Sequence, residues 1–254
     1  MLNRREFMSL VSAGVAANLI TGKASASTNR QAASRAVVFD AFPIFDPRPV
    51  FARVEELFPG RGSELSNAWR TRQFEYQWLR ALSGQYADFR QATEDALIFS
   101  AKLLKLDLTP DKRGQLMQAY LELRAWPDVP AALDALKSKG LTLAFLSNMT
   151  AKMLYANIKS ANLKGVFDHV LSTDQVRTYK PDPRAYQLGV DALRLRRQEI
   201  VYVPFAGWDA AGSKWFGYRT FWVNRLGQPP EELGVSVDAM SKSLTDLVTF
   251  VEAQ

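Results

Sequence analysis

The chain has 254 residues, 47% of them apolar and 23% charged, a composition that excludes wholesale disorder and leaves room for a substantial core. Its net charge of +6 falls to +4 once the first 26 residues, with Arg4, Arg5 and Lys23 against Glu6, are set aside. The other basic residues are interspersed with acids, as in Arg70, Arg72, Glu75 and Arg80, and no basic stripe with interleaved aromatics points to nucleic acid.

The N-terminus opens with Arg4-Arg5, continues into a mildly apolar run from Ser9 to Ile20 and reaches Ala24-Ser25-Ala26. Paired arginines, a short apolar region and an A-x-A site predict a twin-arginine export signal over 1–26. The run is too short to span a bilayer. Cleavage near Ala26 would deliver a periplasmic protein with no membrane attachment.

Ala36-Val37-Val38-Phe39 is a short β-branched run that stops at Asp40, the pattern of a buried parallel strand delivering a carboxylate at its end. From Val50 to about Arg124 only helical spacing is present: Phe74, Trp78, Leu79 and Leu82, then Ala96, Phe99, Leu103 and Leu104, then Leu116, Ala119, Tyr120 and Leu123. Alternation then returns. Helices are predicted over 129–138, 151–161, 183–193, 209–216 and 243–253, and strands over 141–146, 169–172, 200–203 and 218–223. This order predicts an α/β fold, a doubly wound, Rossmann-like parallel sheet (36–48 and 126–254) with an inserted all-helical cap domain (49–125).

Ligands of such sheets sit beyond the carboxyl ends of the strands. Asp40, Ser147, Asn148, Lys180 and Asp209 fall there, with Arg70 arriving from the helical block. A carboxylate beside a lysine stays ionised and can serve as a nucleophile or a metal ligand. Cysteine is absent, which removes thiol nucleophiles, thiolate zinc sites and disulfides. The single histidine, His169, leads into a predicted strand and reads as structural. Lys180-Pro181-Asp182, taken alone, reads as a turn opening a helix.

In combination these segments resemble the haloacid dehalogenase superfamily, and within it the bacterial L-2-haloacid dehalogenases. The matching segments are Phe39-Asp40-Ala41, Phe58-Pro59-Gly60-Arg61-Gly62, Trp69-Arg70, Gln73 to Arg80, Gln91 to Leu97, Leu146-Ser147-Asn148, Tyr179-Lys180-Pro181-Asp182 and Trp208-Asp209-Ala210. The resemblance implies that Asp40 attacks the halogen-bearing carbon of a short 2-haloacid, forming an ester that water hydrolyses. It implies that Arg70 receives the halide, Ser147 and Asn148 hold the substrate carboxylate, Lys180 steadies the nucleophile and Asp209 orders the polar network. Phe89, Tyr186 and Trp208 would line or support the pocket. No metal or other cofactor is implied, the partner is a small carboxylate, and a homodimer through the cap is expected.

Two segments depart from the family pattern. Asp-x-Tyr-Gly-Thr-Leu-Phe is replaced by Asp40-Ala41-Phe42-Pro43-Ile44-Phe45, one residue shorter, and Ser-Ser-Asn-Ala-Trp-Asp by Pro204-Phe205-Ala206-Gly207-Trp208-Asp209. In the family these segments position the nucleophile and the hydrolytic water, and a single preorganised donor is worth about 3–4 kcal/mol. Three outcomes follow: a re-tuned hydrolase, an enzyme that stalls at the ester, or a non-catalytic periplasmic binder of small carboxylates. A phosphatase is disfavoured, because its second aspartate, two residues after the nucleophile, is Phe42 here. Arg177, Thr178 and Tyr202 are candidates, by proximity in sequence, to supply the missing polar contacts.

Overall fold

The computed structural model describes residues 33–252; the expected export signal and its cleavage site lie outside them. β1 (Ala36–Phe39) is followed by β2 (Phe45–Asp46) and four helices: α1 (Arg48–Leu57), α2 (Gly62–Ser83), α3 (Phe89–Leu103) and α4 (Pro110–Ala119). Next come β3 (Arg124–Ala125), α5 (Val129–Ser138), β4 (Thr142–Ser147), α6 (Ala151–Ser160) and β5 (His169–Ser172). The chain ends with α7 (Pro183–Leu193), β6 (Ile200–Val203), α8 (Gly207–Phe216), β7 (Arg219–Val223), β8 (Ala239–Ser241) and α9 (Thr245–Glu252).

Local chemistry sets many of these boundaries. Asp88, Thr109 and Thr150 each turn a side-chain oxygen onto a backbone N–H in the first turn of α3, α4 and α6, and a lost cap of this kind costs about 1 kcal/mol. Asp182 does the same for α7, with Pro183 in the first turn. Gly84 (φ +69) and Gly217 (φ +97) close α2 and α8 in the left-handed region, where a Cβ is penalised.

Six strands form one parallel sheet in the order β5-β4-β1-β6-β7-β8, with β1 between the two strands that carry most of the site. Alternate residues face opposite layers, as the pleat requires. Val37, Phe39, Leu143, Phe145, Val201 and Val203 enter one core, and Ala36, Val38, Ala144, Leu146, Ile200 and Tyr202 the other. Burying a side chain the size of Phe39 or Phe145 contributes about 1.5–3 kcal/mol. The first core continues through Leu65, Trp69, Phe89, Leu97 and Leu116 of the helical insertion.

The insertion leaves and rejoins the sheet through a two-stranded antiparallel ribbon, with Phe45 opposite Ala125 and Asp46 opposite Arg124. Several predicted boundaries move. The last predicted turn of α4 is absent because the backbone N–H of Leu123 donates instead to Asn157 Oδ1 (3.0 Å). Helix α8 begins two residues early, at Gly207, and β8, too short to show a pattern, extends the sheet. No helix among the described residues is long and apolar enough to cross a membrane.

Candidate active site

Parallel pairing places Phe39 level with Phe145 and Val203, so Asp40 emerges between the ends of β4 and β6, with its backbone N–H donating to Val203 O (3.0 Å). Lys180 follows the turn after β5 and reaches back under the sheet end. Its ammonium donates to Asp40 Oδ1 (2.7 Å), Asp209 Oδ2 (2.8 Å) and the Tyr202 hydroxyl oxygen (2.7 Å), with Leu146 O at 3.3 Å. Ser147 Oγ donates to the same Asp40 oxygen at 3.0 Å. Asp40 Oδ2 accepts only a long contact from the Phe42 N–H (3.4 Å).

Exposure grades across the three charges. The Lys180 and Asp209 side chains are 1% and 2% accessible, and Asp40 is 12% accessible, so Asp40 is the carboxylate open to a substrate. Two carboxylates around one buried ammonium would be costly if the geometry were loose. Here every oxygen of Asp209 is also hydrogen-bonded: Tyr186 donates to Oδ1 (2.7 Å) and Tyr202 to Oδ2 (3.0 Å).

Burial works against the charge on Lys180, but Asp209 and Asp40 outweigh it and hold its pKa above the ordinary value. Burial lifts Asp209 above the usual carboxylate range; Lys180 opposes the shift and Asp40 adds to it. Burial, then the neighbouring Asp209, pushes the Tyr186 and Tyr202 hydroxyls far above their ordinary value. Both therefore remain donors at neutral pH. Among the described residues no three His, Cys, Asp or Glu side chains gather as a metal site, and the position between Asp40 and Asp209 is filled by the Lys180 ammonium.

The remaining predicted residues fall into distinct places. Asn148, expected at the substrate carboxylate, has its side chain engaged by protein. Its Oδ1 accepts from the Lys180 N–H (3.0 Å) and Thr173 Oγ1 (3.3 Å), and its Nδ2 donates to Gln77 Oε1 (2.9 Å). Tyr186 supports Asp209 rather than facing a pocket. Trp208 packs edge-on against Trp78 (5.6 Å) and Phe74 (5.4 Å) of α2, and Phe89 is buried against Tyr120 (6.4 Å).

Arg70 does not join the Lys180 network. It is exposed on α2, its guanidinium makes no hydrogen bond or ion pair with any described residue, and it lines a cavity of about 340 Å³ with Phe51, Glu55, Ser63, Ser66 and Asn67. Of the three candidates for replacement contacts, Tyr202 alone reaches the charges. Arg177 lies over the Tyr86 ring (5.4 Å) and Thr178 donates to Asp182 (2.9 Å). A tyrosine inside the otherwise aliphatic strand Ile200-Val201-Tyr202-Val203 was the available signal. Gln77 lay within the matching segment Gln73 to Arg80, which gave it no role of its own.

The parallel sheet, its inserted helical block and a buried lysine between Asp40 at the end of β1 and Asp209 in the first turn of α8 define an enzyme-like site of the α/β class. The model of the haloacid dehalogenase-like hydrolase family matches residues 13–217, and the chain belongs to that family. It is 44% identical over 219 residues, 86% of this chain and 94% of the relative, to an (S)-2-haloacid dehalogenase of Pseudomonas sp. strain YL. It is 39% identical over 204 residues (80% and 91%) to haloacetate dehalogenase H-2 of Moraxella sp. strain B. The solved L-2-haloacid dehalogenase of Xanthobacter autotrophicus superposes with a TM-score of 0.81 at 33% identity, covering 87% of this chain and 99% of that one.

Proposed function

We propose that this chain hydrolyses the carbon–halogen bond of a short 2-haloalkanoic acid, with Asp40 as nucleophile. The observation that carries the reading is the asymmetry at Asp40: Oδ1 is tied to Lys180 and Ser147, while Oδ2 holds only a 3.4 Å contact. A carboxylate fixed through one oxygen presents the other for in-line attack. In the first step Oδ2 bonds to C2 as the carbon–halogen pair leaves with the halide, giving an ester on Asp40. In the second, water adds to the ester and releases a 2-hydroxy acid of inverted configuration and one proton.

Lys180 keeps Asp40 ionised and in place, Asp209 with Tyr186 and Tyr202 keeps Lys180 charged and centred, and Arg70, with no ion-pair partner, is the cation available to the departing halide. Phe89 and Trp208, with Phe74 and Trp78, supply apolar walls. In this reading residues 49–125 act as a cap over the sheet end, and 36–48 with 126–254 form the core domain.

The test is halide release from L-2-chloropropionate by the purified chain without added metal. Release that Asp40→Asn abolishes supports the reading; release that survives the change, after a check against deamidation, refutes the nucleophile. We also propose export through 1–26 to the periplasm, tested by cell fractionation. A homodimer through Leu79 and Leu82, exposed near the end of α2, is tested by sedimentation.

A further inference from the structure

Gln77 is completely buried, yet its Nε2 finds no hydrogen-bond acceptor among the described residues. Its orientation follows from its neighbours. Asn148 Oδ1 accepts from the Lys180 backbone N–H, so Asn148 Nδ2 is a donor and must be met by the Gln77 oxygen. That assignment leaves both Nε2 protons of Gln77 unsatisfied, a state that costs about 1–3 kcal/mol in a buried place.

The unsatisfied donor sits one hydrogen bond from Asn148, whose neighbour Ser147 holds Asp40. Beside it, Trp78 Nε1 and Trp208 Nε1 are also buried without an acceptor, and their rings touch (5.6 Å). These three orphaned N–H donors lie on α2 and at the start of α8, and each would be satisfied by an acceptor that the described residues do not provide. The Asn148 side chain, meanwhile, is fully used.

We infer that Gln77 Nε2 receives the carboxylate of the substrate, so that the insertion supplies an anion contact that the engaged Asn148 side chain does not. This rests on the carboxylate-substrate reading above. The same carboxamide then has two duties: its oxygen fixes Asn148 and through it the Lys180 backbone, and its nitrogen binds ligand.

Gln77→Glu separates them, because it keeps an oxygen for Asn148 and removes both N–H donors; Gln77→Met removes both contacts. The experiment titrates D-lactate, the expected product of L-2-chloropropionate, into the full chain at pH 8 and reads the intrinsic tryptophan fluorescence, to which Trp78 and Trp208 contribute with four others. Thermal melts confirm that the variants are folded, and KM and kcat for halide release are measured alongside. The expected result is binding by the wild type, weakened about 10- to 100-fold in both variants, with KM raised more than kcat is lowered. Unchanged binding in Gln77→Glu, with or without a loss in Gln77→Met, overturns the inference, as does a wild type that binds no D-lactate. Halide release with an unaltered KM in Gln77→Glu would remove Gln77 and leave the dehalogenase reading intact. Weakened D-lactate binding without halide release from any 2-haloacid would do the reverse.

Discussion

The rings of Phe42 and Phe205 meet with centroids 5.8 Å apart and planes inclined at 54°, and this contact joins the two segments at which the sequence departs from the family pattern. The altered Asp40 loop and the segment leading into α8 thus pack on each other through an aromatic pair, with Phe205 standing where the family pattern has a serine. The loop is also pinned from outside. Trp126 Nε1 donates to Phe42 O (3.0 Å) and Arg225 donates to Pro43 O (2.8 Å).

If the pair is a coupled replacement, the two residues must interact energetically. A double-mutant cycle of Phe42→Ala and Phe205→Ala, read by urea unfolding, should give a coupling of about 0.5–1.5 kcal/mol. Strict additivity, within about 0.3 kcal/mol, would show that the rings touch without supporting one another.

How much of this was legible in the sequence depended on period and on charge. The strands Ala36–Phe39 and Ile200–Val203 were read to the residue because β-branched runs bounded by polar residues allow little else. Asp40, Lys180 and Asp209 could be gathered because parallel topology sends strand ends to one place. The hydrogen-bond partners of Asn148 and Tyr186 were not legible, since a side-chain amide or hydroxyl bonds whichever groups the fold brings within reach: Gln77 and the Lys180 backbone for the one, Asp209 for the other. Gln77 lay hidden in a helix whose spacing shows which face is inward but not which side chain crosses to the sheet.

Lys180 is the charge that makes two buried carboxylates compatible. In Lys180→Met, Asp40 and Asp209 lose their common cation, and removing one partner of a buried ion pair costs about 3–5 kcal/mol. Asp209 is already raised above the usual range by burial and by Asp40, and without the ammonium it rises further. A carboxyl whose folded pKa exceeds its unfolded value favours folding in its protonated state, an advantage lost as pH rises through the folded value. The deficit of Lys180→Met in urea melts should thus be larger at pH 8 than at pH 5, and halide release should vanish at both. A pH-independent deficit would mean that the two carboxylates do not share the lysine.

Tyr186 gives a sharper test of positioning. Its hydroxyl touches Asp209 Oδ1 at 2.7 Å and the residue is completely buried. Tyr186→Phe should lower kcat by about tenfold through a loosened Asp209, with KM unchanged. Its pH–rate profile should also shift, because Asp209 loses a donor that favours its ionised form. A raised KM with constant kcat would return Tyr186 to the substrate pocket.

The clamp on the Asp40 loop has its own pH signature. Arg225 Nη1 meets both oxygens of Asp128 at 2.8 and 2.9 Å, while its Nη2 donates to Pro43 O. Burial alone would raise Asp128, but the Arg225 guanidinium, the Leu244 N–H and the Ser243 hydroxyl together hold it below the ordinary carboxylate value. Burial pulls Arg225 downward, yet a guanidinium stays charged throughout the accessible range. A depressed carboxyl contributes stability that is present above its unfolded pKa, near 4, and lost as pH falls through the folded value. Asp128→Asn should therefore cost about 1–2 kcal/mol at pH 7, after allowance for the partial exposure of the pair, and the gap from wild type should close below about pH 4. Urea unfolding from pH 3 to pH 8 measures both limbs. A gap that persists undiminished at pH 3 would assign the loss to packing rather than to the ion pair, and the clamp would then act on Pro43 by shape alone.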